Sequence, residues 1–131
     1  MNGKRRWTAF VACLAIPLVG HAADRWSAAT LLKVVMVDNR FDPSTLTLRA
    51  GRPYVLQLEN RGKEMHEFTA PDFLKAATVR DRRKLANGGT DIVVQPGKTA
   101  RVLLIAPAQG HYALTCADHD WDGMVGTITV D

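Results

Sequence analysis

Residues 116–124 read Cys116-Ala-Asp-His119-Asp-Trp-Asp-Gly123-Met124, and this short stretch carries three candidate metal ligands. Thiolate and thioether sulfur are soft donors that suit Cu(I), whereas imidazole suits Cu(II), so this mixed set tolerates both oxidation states of copper. Gly123 permits the chain reversal that lets the three side chains converge. A fourth ligand has to come from another part of the chain, and His66 is the candidate. The pattern predicts a copper site able to pass single electrons.

The N-terminal residues have the three parts of a secretory signal. Residues 4–6 are Lys-Arg-Arg, residues 7–19 form an apolar run of 13 residues, and residues 20–22 are a Gly-His-Ala cleavage site. Because a membrane-spanning helix needs about 20 apolar residues, cleavage is favoured over retention as an anchor. We therefore expect a signal peptide at 1–22, a periplasmic location, and one mature domain at 23–131 without an integral membrane segment.

Removal of the signal changes what charge and cysteine content imply. The formal charge of +4 includes Lys4, Arg5 and Arg6, so the mature part keeps +1 and the sequence pI of about 9.4 does not indicate a nucleic-acid partner. Cys13 is removed as well, which leaves Cys116 without a partner for an internal disulfide. A free thiol in an oxidising compartment is prone to oxidation, and metal ligation explains why this one is retained.

The mature sequence breaks into short runs rich in β-branched residues, with turn residues between them. The predicted strands are 30–37, 45–48, 54–59, 65–69, 90–94, 99–105, 111–116 and 125–130. Phe41-Asp42-Pro43-Ser44 is predicted to be one of the turns. Residues 72–86 differ, because their Leu, Lys, Arg and Ala content favours a short helix or lid. Many short strands at regular spacing predict a sandwich or a Greek-key barrel.

Several motifs together resemble the cupredoxin family of small blue-copper proteins over residues 31–130. They are Phe41-x-Pro43, Leu48-x-x-Gly51, Asn60-x-Gly62-x-x-x-His66-Glu67-Phe68, Pro96-Gly97, and Tyr112-x-x-x-Cys116-x-x-His119-x-x-x-x-Met124-x-Gly126. The resemblance implies an all-β, antiparallel Greek-key β-sandwich with a copper site at one end, and the composition of residues 72–86 adds one short helical insertion. The implied ligands of the single copper ion are His66, Cys116, His119 and Met124.

Each candidate ligand also has an interpretation without metal. Cys116 could be a small core residue, Met124 a flexible core filler, His66 a buried strand histidine and His119 a surface loop histidine. Thiolate and imidazole bind zinc as well as copper, so the metal itself stays open from the residues alone. Glu67 either supports a ligand loop or faces solvent, and the solvent-facing position is favoured. His111 and Met65 are predicted to be a surface residue and a packing residue.

Two functions remain open at this level. The resemblance implies a single-electron carrier that is not an enzyme, and the N-terminal signal makes it an exported one, expected to be a monomer. The loop around His119 departs from the mostly apolar loop of the family because it carries Asp118, Asp120 and Asp122, so redox partner proteins are expected to dock at an acidic surface on residues 118–122. The alternative is a periplasmic copper-binding module for storage, delivery or sensing, because the same ligands serve it. An oxidase needs further copper centres, for which the three histidines after the signal are too few. The 72–89 insertion covers either the copper end or a flank.

Overall fold

Residues 24–131 form short strands joined by tight turns. A computed structural model describes residues 24–131, and the predicted signal peptide at 1–22 lies outside the described residues. The strands are β1 Thr30–Val37, β2 Arg40–Asp42, β3 Thr45–Leu48, β4 Pro53–Asn60, β5 His66–Thr69, β6 Thr78–Val79, β7 Asp91–Val94, β8 Thr99–Ile105, β9 Gly110–Thr115 and β10 Val125–Val130. The helix α1 spans Pro71–Ala76.

Two five-stranded sheets form the sandwich, with strand orders β2-β1-β4-β8-β6 and β3-β10-β9-β5-β7. The predicted β-sandwich with a short helix is confirmed, but the sheets are not purely antiparallel. β1 runs parallel to β4, and β3 runs parallel to β10. The chain leaves the first sheet after β2, forms β3 in the second sheet and returns as β4, and this crossing brings β4 beside β1 in the same direction. Alternation of polar and apolar residues does not encode strand direction.

The core lies between the sheets and is built from alternate positions of the strands. Leu46 and Leu48 of β3, and Leu56 and Leu58 of β4, are almost fully buried. Phe68 of β5 is also buried and meets Phe41 edge to face, with ring centroids 6.2 Å apart. Each such side chain contributes about 1.5–3 kcal/mol when fully buried. We therefore expect this core to keep the domain folded without metal.

The segment after β5 is less helical than its composition predicts. The expected helix over 72–86 is wrong in extent, because α1 ends at Ala76 and the backbone of Ala77 is extended. The next two residues, Thr78 and Val79, are β-branched and pair with the edge of β8 instead. A 3-10 turn follows at Arg82–Lys84. The predicted turn at 41–44 is likewise partly strand, since β2 includes Phe41 and Asp42.

The position of α1 shows where the first part of the 72–89 insertion lies. Phe73 of α1 is buried and packs edge to face on Tyr112, with ring centroids 5.7 Å apart. Tyr112 lies near the start of β9, whereas the candidate ligand Cys116 follows its end. The helix therefore packs along a flank of the second sheet.

The strands of the second sheet bring the candidate ligands to one end. Thr115, the last residue of β9, lies opposite both Thr69 of β5 and Val125 of β10. Residues 116–124 therefore form the loop of a β9–β10 hairpin beside the beginning of β5. Gly123 has a φ of 83°, a left-handed conformation that glycine adopts without strain, which fits its predicted role in the chain reversal.

Helix α1 is far too short to cross a bilayer. Within residues 24–131, no helix has the length and apolar character of a membrane span.

Candidate metal centre

Three of the four predicted ligands meet in the folded chain. The Sγ atom of Cys116 lies 3.4 Å from Nδ1 of His119 and 4.0 Å from Nδ1 of His66. The two imidazole rings meet edge to face, with centroids 4.9 Å apart. Candidate ligand atoms of the three residues all lie within 4.8 Å of one another. A single ion can therefore contact all three after small adjustments.

Each of these side chains has a fixed origin in the fold. His66 is the first residue of β5, Cys116 follows β9 directly, and His119 stands at the start of the 3-10 turn Asp120–Asp122. The exposed fractions are 2% for His66, 0% for Cys116 and 9% for His119. Burial on this scale excludes bulk water from the space between the donor atoms.

Met124 is fully buried at the return of the same loop. Its carbonyl oxygen accepts a hydrogen bond from the Cys116 N–H at 3.0 Å, and its own N–H donates to the His119 carbonyl at 3.1 Å. The backbone of Met124 is thus tied to both loop ligands. Its assignment as the weak fourth ligand stays a prediction.

The protein environment keeps the Cys116 thiol protonated when no cation is near. Burial raises the pKa of Cys116, although backbone N–H groups such as that of Glu67, 3.3 Å from Sγ, act in the opposite direction. Burial lowers the pKa of His66, and the neighbouring His119 lowers it further. His66 is therefore a neutral donor near pH 7, and binding of a cation has to displace the proton of Cys116.

Metal affinity should therefore depend on pH in a defined direction. Below the raised pKa of Cys116, each bound ion releases one thiol proton, so we expect the apparent Cu(II) affinity to increase about tenfold for each pH unit between 6.5 and 8.5. Competition titrations at three pH values measure this slope. The residual Cu(II) affinity of Cys116→Ala should no longer increase with pH in this way. If the Cu(II) affinity of the unmodified chain did not depend on pH, Cys116 would not be the thiol that loses its proton on binding.

The comparisons with known proteins decide the family. Residues 8–130 match the family model described as the cupredoxin-like domain. A plastocyanin from Lactuca sativa is 32% identical to this chain over 91 residues, which cover 70% of this chain and 87% of that protein. The chain belongs to the cupredoxin family.

Solved structures show the same fold. A dithionite-reduced auracyanin from Roseiflexus castenholzii superposes with a TM-score of 0.60 at 18% identity, covering 79% of this cupredoxin and 98% of that chain. Auracyanin A from Chloroflexus aurantiacus, a "blue" copper protein, gives a TM-score of 0.58 at 17% identity, covering 79% and 99%. At these identities the likeness supports the β-sandwich fold alone.

The donor set of this cupredoxin fits a single copper ion. Two imidazole nitrogens and one thiolate in a trigonal arrangement, with a thioether as a long axial ligand, are typical of copper sites that transfer electrons. His66, Cys116 and His119 supply the three strong donors within one buried space. Met124, which is buried and whose backbone is hydrogen-bonded to both loop ligands, would supply the thioether.

Glu64, which lies beside the cluster, was not predicted from the sequence to belong to the site. Oε2 of Glu64 lies 2.8 Å from Nε2 of His119, although the two residues are 55 positions apart. Glu64 sits in the loop before β5, and neither its spacing nor its neighbours indicate a partner in the later loop. The only sequence signal is that Glu64 lies two residues before His66, which places it near the site.

The prediction that Glu67 faces solvent is wrong. Glu67 is 7% exposed, and burial raises the pKa of its carboxyl group, with further increases from the nearby Asp118 and Asp91. Alternation assigns Glu67 to a strand face but cannot show that other segments cover that face. His111, by contrast, is exposed as predicted, and its Nδ1 lies 3.2 Å from Oγ1 of Thr129.

Proposed function

We propose that this cupredoxin is a single-electron carrier that holds one copper ion between His66, Cys116, His119 and Met124. The observation that carries the proposal is the convergence of two Nδ1 atoms and one Sγ atom in a buried space at one end of the sandwich. Bound copper supplies a one-electron couple between Cu(II) and Cu(I). The chain supplies the ligands, their orientation and the exclusion of water.

Backbone hydrogen bonds and strand pairing fix the positions of the proposed ligands. The Glu67 N–H donates to Sγ of Cys116 at 3.3 Å, and the Cys116 N–H donates to the Met124 carbonyl at 3.0 Å. His66 is fixed by its position on β5, where it lies opposite Val94 of β7. A cage held by the backbone in this way limits ligand movement when the charge of the bound ion changes, which favours rapid electron transfer.

We propose that redox partner proteins dock at the loop around His119. Asp118, Asp120 and Asp122 are exposed, so the surface beside this ligand is acidic. Trp121 is 79% exposed, and its Nε1–H donates to the Asp118 carbonyl at 2.9 Å. An acidic surface with one fixed aromatic ring suits a cationic partner in a small, short-lived contact. The rate at which such a partner associates with this surface should fall as the salt concentration increases.

We also propose that residues 1–22 direct export to the periplasm and that residues 23–131 act there as a monomer. The order of basic, apolar and small residues in the first segment supports cleavage. A domain with Cys116 as its remaining cysteine is compatible with an oxidising compartment, because ligation protects the thiol.

Met124→Leu should raise the reduction potential while copper stays bound. Thioether sulfur is a soft donor, but replacing a weak fourth donor with a purely apolar side chain would remove electron donation that the more positive Cu(II) needs more than Cu(I) does, so the oxidised state should be disfavoured. Leucine has a similar volume and should cost less than about 1.5 kcal/mol in stability. Voltammetry of the copper-loaded variant measures the potential. An unchanged or lower value would argue against Met124 as axial ligand.

Redox cycling in the presence of a Cu(I) chelator separates the carrier from the alternative, a module for copper storage, delivery or sensing. The mature, copper-loaded chain is reduced and reoxidised repeatedly while the visible thiolate-to-Cu(II) band is recorded. A carrier retains its copper and recovers the full band after each cycle. Loss of copper to the chelator on the first reduction would instead favour delivery and overturn the carrier proposal.

A further inference from the structure

The outer edge of the His119 ring is covered by a carboxylate. Nδ1 of His119 faces Sγ of Cys116 at 3.4 Å, and Nε2 on the other side of the ring lies 2.8 Å from Oε2 of Glu64. The His119 side chain is 11% exposed, whereas that of Glu64 is 69% exposed. Glu64 therefore lies between the imidazole and solvent.

The backbone that carries Glu64 is anchored independently of this contact. Nδ2 of Asn60 donates to the carbonyl oxygens of Glu64 and Val94, at 2.7 Å and 2.8 Å. Oδ1 of Asn60 accepts from the Gly62 N–H at 2.9 Å. Asn60 itself is 2% exposed, so these hydrogen bonds are shielded from water. Because Glu64 comes two residues before His66, its carboxylate links the loop that precedes one proposed ligand to the loop that holds another.

We propose that Glu64 is a positioning residue of the copper site, acting through His119. Its carboxylate accepts the Nε2–H of His119, which leaves the Nδ1 lone pair free for the metal and fixes the ring orientation. The inference rests on the proposed role of His119 as a ligand. Removal of this hydrogen bond frees the ring to turn and makes the imidazole a weaker donor.

The charge of Glu64 adds a second effect in the same direction. A carboxylate near the site favours Cu(II), the more positive state, over Cu(I). Solvent and salt screen this charge because Glu64 is mostly exposed, so the orientation of the ring should account for the larger part. A surface ion pair without this hydrogen bond would have little effect on the orientation of the His119 ring or on the balance between Cu(II) and Cu(I).

The first test compares reduction potentials of three copper-loaded variants. Glu64→Ala removes both the acceptor and the charge, Glu64→Gln keeps an acceptor oxygen, and Asp120→Asn removes an exposed acid next to His119 that is not hydrogen-bonded to its ring. We expect Glu64→Ala to lower the ratio of Cu(II) to Cu(I) affinity about tenfold, which raises the potential by about 59 mV. Glu64→Gln should give a smaller increase, and Asp120→Asn the smallest. Equal shifts in all three variants would overturn the proposal.

The second test reads the hydrogen bond without redox chemistry. Zn(II) binds thiolate and imidazole and is diamagnetic, so the zinc-loaded chain is suitable for NMR. The His119 Nε2–H proton should be slow to exchange in the unmodified chain and in Glu64→Gln, and broadened by exchange in Glu64→Ala. Identical signals in the unmodified chain and Glu64→Ala would overturn the role of Glu64. If copper gives no blue site, the electron-carrier proposal fails, while this zinc experiment still decides the contact.

Discussion

Replacing Cys116 with serine is expected to abolish the visible thiolate-to-Cu(II) band of the copper-loaded chain while the metal-free domain stays folded. The band requires a thiolate sulfur, and a serine hydroxyl is a hard donor that keeps its proton. The new hydroxyl can accept the Glu67 N–H that now points at Sγ at 3.3 Å. The stability cost should therefore be about 1 kcal/mol, against a total of about 5–15 kcal/mol for a typical domain.

Absorption and circular dichroism spectra of the same samples measure both effects. Thr115→Ser is the matched control, because position 115 is the neighbouring residue, and successive residues at a strand end point to opposite faces. The control should keep the full band. Persistence of the band in Cys116→Ser would exclude Cys116 as the thiolate ligand, and an unfolded metal-free variant would contradict a metal-independent core.

Gly126→Ala is expected to destabilise the domain by about 1–3 kcal/mol or more. An added Cβ at this position on β10 would overlap the carbonyl oxygen of Ser44 and lie 3.2 Å from Cδ2 of Leu114. The same Ser44 carbonyl accepts the Thr127 N–H at 2.9 Å, so it cannot move away without loss of a hydrogen bond between β10 and the residue before β3. The conflict is with backbone, which has less freedom to adapt than a side chain.

Gly110→Ala provides the comparison for this prediction. Gly110 lies on the neighbouring strand β9, opposite Val130, and an added Cβ there would meet the Tyr112 ring at an ordinary 3.6 Å. Since glycine within a strand costs roughly 0.5–1 kcal/mol relative to alanine, Gly110→Ala should be neutral or stabilising. Urea unfolding of the two metal-free variants gives both free energies. A Gly126→Ala variant as stable as Gly110→Ala would show that the close approach to Ser44 does not constrain the fold.

Local pattern predicted the strands well where alternation was bounded by turn residues. The limits of β1, β3, β8 and β10 match the expected 30–37, 45–48, 99–105 and 125–130. The segment at 72–86 was predicted less well, because its composition favours a helix whereas Thr78 and Val79 pair with a strand more than twenty residues later. Pairing across a sheet edge depends on the assembled fold and leaves no local signal.

In the candidate site, too, residues close together in the sequence were predicted, whereas a contact that depends on the assembled fold was not. Cys116, His119 and Met124 lie within nine residues, so their spacing alone indicated a shared role. His66 was connected to them by the family resemblance, and the structure brings its Nδ1 to 4.0 Å from Sγ of Cys116. Glu64 escaped prediction because its contact with His119 depends on how two distant loops pack against each other.

A Cu(II) titration of metal-free protein comprising residues 23–131, followed by visible absorption and electron paramagnetic resonance, tests the central claim most directly. If His66, Cys116, His119 and Met124 hold a single copper ion, the visible thiolate-to-Cu(II) band should reach its maximum at one equivalent. A mild reductant should then bleach it reversibly. Copper bound without this band, or a band that no reductant removes, would contradict a blue-copper electron carrier.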